Sequence, residues 1–318
     1  MILSFEEYCN NEWTTDFDIV NESMSISSDV AEETQKVLNL INSLLEGTNI
    51  KEKEDGSFKF IKNPVVKVFN CDCELDFTFV DYLKTHGSIA HCQVNFEEVN
   101  GIVYTDFCLN GHIQVKGGKI SERCAAVIGH ELMHAYMFQK MYNNVPYISA
   151  EKIHDSQQKW REIYDAALSY FDKVASGQNY SESILDLMYN IYSSDVSEVS
   201  AFTQEAYEQC RECKTISAVK DKIKDTTLYK MKESFKIILD DMDYLMKHHR
   251  NQYEKFYNKR KQMVDECSKL PSAHQLQKLF TKRYNKVLSN IGKIISYIKY
   301  ELEDKDTVKT VIKNIKKI

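Results

Sequence analysis

The chain has 318 residues, 43% of them hydrophobic, with 41 Lys+Arg against 47 Asp+Glu and a formal net charge of -6. That is apolar material for one large domain or two ordinary ones, and it excludes a disordered chain. Mean hydropathy is -0.46, and no apolar run nears the ~18–20 residues of a membrane helix, which excludes a membrane-spanning protein.

Residues Met1 to Trp13 contain no basic stretch followed by an apolar one, so no secretory signal and a cytoplasmic location are expected. The nine cysteines then read as reduced thiols, not as a disulfide framework. Lys outnumbers Arg 35 to 6, and Asn, Ile and Tyr are plentiful, which suggests an AT-rich coding genome such as that of a gut bacterium or its phage. Charge is split along the chain. Residues 1–213 carry 16 Lys+Arg and 34 Asp+Glu, a net of -18, whereas 214–318 carry 25 and 13, a net of +12. Two regions with different roles, or two faces that attract, follow from such a split.

In chain order, residues 1–56 form an N-terminal helical segment, with Val30, Val37, Leu38, Ile41, Leu44 and Leu45 at helical spacing before Gly47. From 57 to 117 the period shortens. Strands are expected at Val65–Phe69, Ile89–Phe96, Ile102–Cys108 and His112–Lys116, with Asn100-Gly101 and Asn110-Gly111 as type I′ hairpin turns. Ser121 caps a helix that reaches about Tyr142 and stops before Pro146. Helices follow over 149–175 and from Ser181 to Cys210, with an interruption at Ser193-Ser194-Asp195. Long helices over 217–268 and 272–317 are separated by Pro271. The fold class is thus α+β, mainly α: a small antiparallel or mixed sheet, then helices, then a long-helix C-terminal extension over 214–318.

The informative stretch is Gly129-His130-Glu131-Leu132-Met133-His134-Ala135-Tyr136, a His-Glu-x-x-His inside the expected helix. At about 100° per residue, His130 and His134 lie about 40° apart and one turn displaced, so their imidazoles can converge on one ion. Glu131 sits about 60° round from His134, within reach of a metal-bound water without being a ligand. The chemistry this pattern serves is hydrolytic. Zinc acidifies the water and polarises a carbonyl, and Glu131 takes the proton. The competing reading is two ordinary histidines beside an incidental glutamate.

The heptapeptide His130 to Tyr136 resembles the active-site helix of the zincin metallopeptidases, and the resemblance covers roughly residues 60–210, within an expected catalytic domain over 57–213. It implies a zincin-like catalytic core with one Zn2+, a peptide or protein substrate, and an edge strand that aligns the substrate, a place that His112–Lys116 would fill. Met137 and Lys140 stand where metzincins carry Gly and a third His, so that subfamily is excluded. Gluzincins instead take a Glu from a later helix. The segment Ser197 to Tyr207 resembles that helix, with Glu198 and Ala201 carrying its Glu-x-x-Ala pattern. Glu198 then becomes the third ligand, against a reading as a solvated face residue. Glu205, seven residues on and within about 20° on the same face, is the outer-shell acceptor for a ligand imidazole. His154 or Asp155 is the fallback ligand. Gluzincins also use a Tyr or His to stabilise the oxyanion; Tyr192 is the candidate, with Tyr189 and Tyr207 nearby.

Other pairs read as structural. Cys71-Asp-Cys73 and Cys210-x-x-Cys213 are taken as buried thiols and not as zinc knuckles, and His248-His249 as a solvated pair. The basic C-terminal region carries an apolar stripe from Leu276 to Ile298. It is expected to pack as helices on the catalytic region or on a protein partner, with nucleic-acid binding as the lesser alternative. The functional expectation is a zinc metallopeptidase. The alternative is a non-catalytic phage or mobile-element protein that keeps the fold and has lost the chemistry.

Overall fold

The computed structural model describes residues 26–47, 49–81, 90–147, 196–248 and 273–315. The expected helix over 149–175, the interruption at Ser193-Ser194-Asp195, the break at Pro271, and the candidates Tyr189, Tyr192, His154 and Asp155 lie outside the described residues.

Helix α1 (Ser28–Leu45) starts where Ser27 Oγ accepts the Val30 N–H, one of the amides that a helix start leaves without a partner. Val30, Thr34, Val37 and Ile41 recur on one face and are buried, which pins the helix to the core.

Eight strands follow among the described residues: β1 (Ile50–Glu52), β2 (Phe58–Phe60), β3 (Val65–Val68), β4 (Cys71–Val80), β5 (Ala90–Val99), β6 (Ile102–Lys116), β7 (Lys119–Ile120) and β8 (Val145–Pro146). They form one sheet in the order β1-β2-β4-β6-β5, with β3 on β4 and both β7 and β8 on β6. The sheet is mixed, because β4 and β6 run parallel while the other pairs are antiparallel. Cys71, Cys73, Leu75, Phe77 and Phe79 alternate onto the buried face of β4, joined by Phe107, Leu109 and Ile113 of β6. Each of the large side chains among them contributes roughly 1.5–3 kcal/mol by leaving water. Asp72, Glu74, Asp106 and His112 occupy the other, exposed face.

Three features of the sheet differ from expectation. Residues 50–52, expected inside the helical segment over 1–56, form β1, held by antiparallel pairing with β2. The strand β4, ten residues long, is additional to the expected four, although its apolar–polar alternation is plain in Cys71-Asp-Cys-Glu-Leu-Asp-Phe77. Asn110-Gly111 makes no turn: β6 runs through it for 15 residues. Asn110 pairs with His91 on one side and Asp76 on the other, and two ladders outweigh the local preference of an Asn-Gly pair. Asn100-Gly101 does form the expected turn. Both residues take positive φ (55° and 77°) and Val99 pairs with Ile102, so β5 and β6 make a two-residue hairpin.

Helix α2 spans Glu122–Tyr142 behind its Ser121 cap, as expected, and stops ahead of Val145–Pro146, which pairs with β6. Helix α3 (Val196–Cys210) is followed by α4 (Ile216–Lys222), α5 (Thr227–His248) and α6 (Ala273–Ile315). The single helix expected over 217–268 is broken by a 3-10 turn at Ile223–Asp225. Thr226 causes the restart: its hydroxyl donates to the Ile223 carbonyl at 2.6 Å and accepts the Tyr229 N–H at 3.3 Å.

The chain divides into two compact units. One holds α1, the sheet, α2 and α3 from Ser200 onward; the other holds the start of α3 through Val199, with Glu198, and α4 to α6. The dividing line passes through the first turn of α3, which is one continuous helix, so Glu198 rides on the same helix as Phe202 and Glu205. In the helical unit, Leu228, Met231 and Phe235 of α5 and Leu279, Phe280, Val287, Ile294 and Ile298 of α6 are buried, with Phe235 and Phe280 stacked at 5.6 Å. No described helix is long and apolar enough to cross a membrane.

Candidate metal centre

Helix α2 is buried on nearly every side. Cys124, Ala126, Ile128, Leu132, Met133, Ala135 and Met137 are buried around it, and so are His130 and Glu131. A helix this enclosed is held by packing, and the two imidazoles are held with it. His130 is 7% exposed and His134 intermediate. Their Nε2 atoms face each other at 3.3 Å, with ring centroids 5.0 Å apart at 71°.

Helix α3 brings three side chains to the same place at intervals of four and three residues, one stripe along its length. Glu198, in its first turn, is 2% exposed. One ligand atom each from His130, His134 and Glu198 lies within 4.8 Å of the others. Among the described residues this is the one group of three or more such side chains close enough to share an ion. Phe202 sets its ring against that of His130, centroids 4.6 Å apart at 66°. Glu205 places Oε2 3.4 Å from His130 Nδ1, and its Oε1 accepts a 3.0 Å hydrogen bond from Gln209 Nε2. A carboxylate on Nδ1 favours the tautomer that leaves the Nε2 lone pair pointing toward His134.

Glu131 is apart from this set. Its Oε2 accepts the backbone N–H of Cys92, on β5, at 2.8 Å. The strand beside the helix is therefore β5, which ends the sheet among the described residues. His112–Lys116, expected as the edge, is the last part of β6: β4 pairs with it as far as Gln114 and β7 with Val115 and Lys116, while the β5 pairing stops at Gly111.

The two imidazoles of the donor set meet a simple geometric test. Bonds of about 2.0–2.1 Å to the corners of a tetrahedron put those corners about 3.3–3.4 Å apart. The two Nε2 atoms stand at 3.3 Å. Two imidazoles and a carboxylate suit a borderline divalent ion such as zinc, with room in the coordination sphere for water.

The described cysteines do not compete for that role. Cys71 and Cys73 are successive buried positions of β4, Cys210 is buried at the end of α3, and all are free thiols. Burial pushes the Cys73 thiol up to about 12 and that of Cys92 well above its usual range, the latter helped by the charge of Glu131. Tyr207, one of the oxyanion candidates, is buried on α3.

Sequence reasoning brought His130, His134, Glu198 and Glu205 to one region but missed Phe202. Its signal was available, four residues after Glu198 and three before Glu205. The Cys92 N–H had no local signal, since it depends on where the sheet places β5. No family model, curated protein or solved structure matches the chain.

Proposed function

We propose that the chain is a single-zinc metallopeptidase of gluzincin type, with a zincin-like core, that hydrolyses peptide bonds. The observation that carries this is the convergence of His130, His134 and Glu198 within 4.8 Å while Glu131 stands outside the set. A bound zinc ion supplies an acidified water and a polarised substrate carbonyl. Glu131 takes a proton from the attacking water and returns it to the leaving amine, which a carboxylate at the side of the site can do without losing its place. The Cys92 N–H fixes the direction of that carboxylate. Glu205 and Phe202 hold the His130 ring so that Nε2 presents its lone pair. Stabilisation of the oxyanion falls to a hydrogen-bond donor, for which Tyr192 is the candidate.

The test is turnover of a peptide library by the zinc-loaded chain beside its Glu131→Gln variant. Cleavage by the first and not by the second supports the reading. Stoichiometric zinc with no cleavage by either would favour a non-catalytic binding protein that keeps the site.

A further inference from the structure

The site depends on how closely α3 lies on α2, and one residue governs that depth. Gly129, immediately before His130, is where three helices meet. A methyl group placed on it would lie 2.9 Å from Glu208 Cγ on α3, 3.4 Å from Thr34 Oγ1 and 3.6 Å from Thr34 Cγ2 on α1. The first distance is shorter than carbon atoms tolerate, and the two neighbours are held. Glu208 Cγ is near the backbone of its helix, and its carboxylate accepts from Gln204 Nε2 at 3.0 Å and from Arg211 Nη1 at 2.8 Å. Thr34 is buried, with its hydroxyl donating to the Val30 carbonyl at 2.7 Å. Added volume at Gly129 must therefore either break Glu208 from both of its partners or move a helix.

The contacts along the two helices step in opposite directions: Gly129 meets Glu208, and His130 meets Glu205 and Phe202. Moving α3 outward at Glu208 withdraws Glu205 and Phe202 from His130, and carries Glu198 with them on the same continuous helix.

We propose that Gly129 is a positioning residue of the metal centre, its missing side chain setting the α2–α3 separation at which Glu198 and Glu205 reach the histidines. The proposal rests on the metal-site reading above and adds to it a residue that touches neither metal nor substrate.

The experiment titrates zinc into the full chain against a chromophoric chelator and records the visible bands of the cobalt-substituted form. It uses wild type, Gly129→Ala, Glu208→Ala and the double variant. The Gly129→Ala chain should bind zinc at least about tenfold more weakly, in the range of losing an outer-shell partner, with altered cobalt bands. Removing Glu208 Cγ makes room for the methyl, so the double variant should return to within about threefold of Glu208→Ala alone, well inside the loss expected for a displaced ligand. That last pair keeps the test decisive even if Gly129→Ala alone does not fold. Wild-type affinity and bands in Gly129→Ala would overturn the proposal. So would a double variant at least about tenfold weaker than Glu208→Ala. A wild-type chain that never competes for zinc would overturn the metal-site reading itself, and this proposal with it.

Discussion

The two units of the chain bury different things. In the helical unit, α5 and α6 bury Leu228, Phe235, Phe280, Val287 and Ile294 along regular stripes, and few polar groups go with them, chiefly Thr226, Arg283 and Asn290. In the sheet unit and its helices, His130, Glu131, Gln204, Glu205 and Glu208 are largely buried within two neighbouring helices, together with Glu198 on α3. Taking ionisable groups out of water costs several kcal/mol each unless partners or a metal compensate. A scaffold built for stability alone would carry leucines there. The contrast places the buried ionisable groups, the candidate metal ligands among them, on α2 and α3, and the α5–α6 stripe is apolar packing.

That contrast can be broken first at the third ligand. Glu198→Ala should abolish stoichiometric zinc binding, since two imidazoles alone hold the ion poorly. A titration that still reaches one zinc per chain would move the ligand elsewhere, with His154 or Asp155 next in line. Glu131→Gln should keep the metal and lower peptide turnover at least about 10²-fold, the low end for a general base. If the loaded variant cleaved as fast as wild type, the role given to Glu131 would be wrong. Glu205→Ala should retain zinc with affinity roughly 10–100-fold weaker, as expected for an acceptor that orients a ligand imidazole. The smallest effect on the site is expected in the other unit. Phe280→Ala removes a fully buried ring stacked on Phe235 and should cost about 3–5 kcal/mol of stability. Zinc affinity of the folded variant should not change, and a loss there would erase the distinction between the units.

Much of this contrast was legible from local pattern. Ser121 announces its helix as a cap, Asn100-Gly101 announces its hairpin, and His130 to His134 announces a two-imidazole face, because each depends on residues within one turn of chain. Glu198 and Glu205 were legible once a helix was granted, as positions seven apart share a face. Non-local pairing was not legible. Asn110-Gly111 has the same local chemistry as Asn100-Gly101, yet it is held straight by strands on both sides. The same pairing puts β5 at the end of the sheet and the Cys92 N–H on Glu131. The crowding at Gly129 is also non-local, because it involves Thr34 and Glu208, 95 residues before it and 79 after.

The account turns on a single ion held by two histidines and one glutamate. Its most direct test is diffraction from zinc-soaked crystals on both sides of the zinc absorption edge. The account predicts one anomalous peak about 2.0–2.2 Å from His130 Nε2, His134 Nε2 and a carboxylate oxygen of Glu198, with Glu131 outside bonding distance. A peak bound by Glu131, a peak without Glu198, or no peak at these histidines would contradict it.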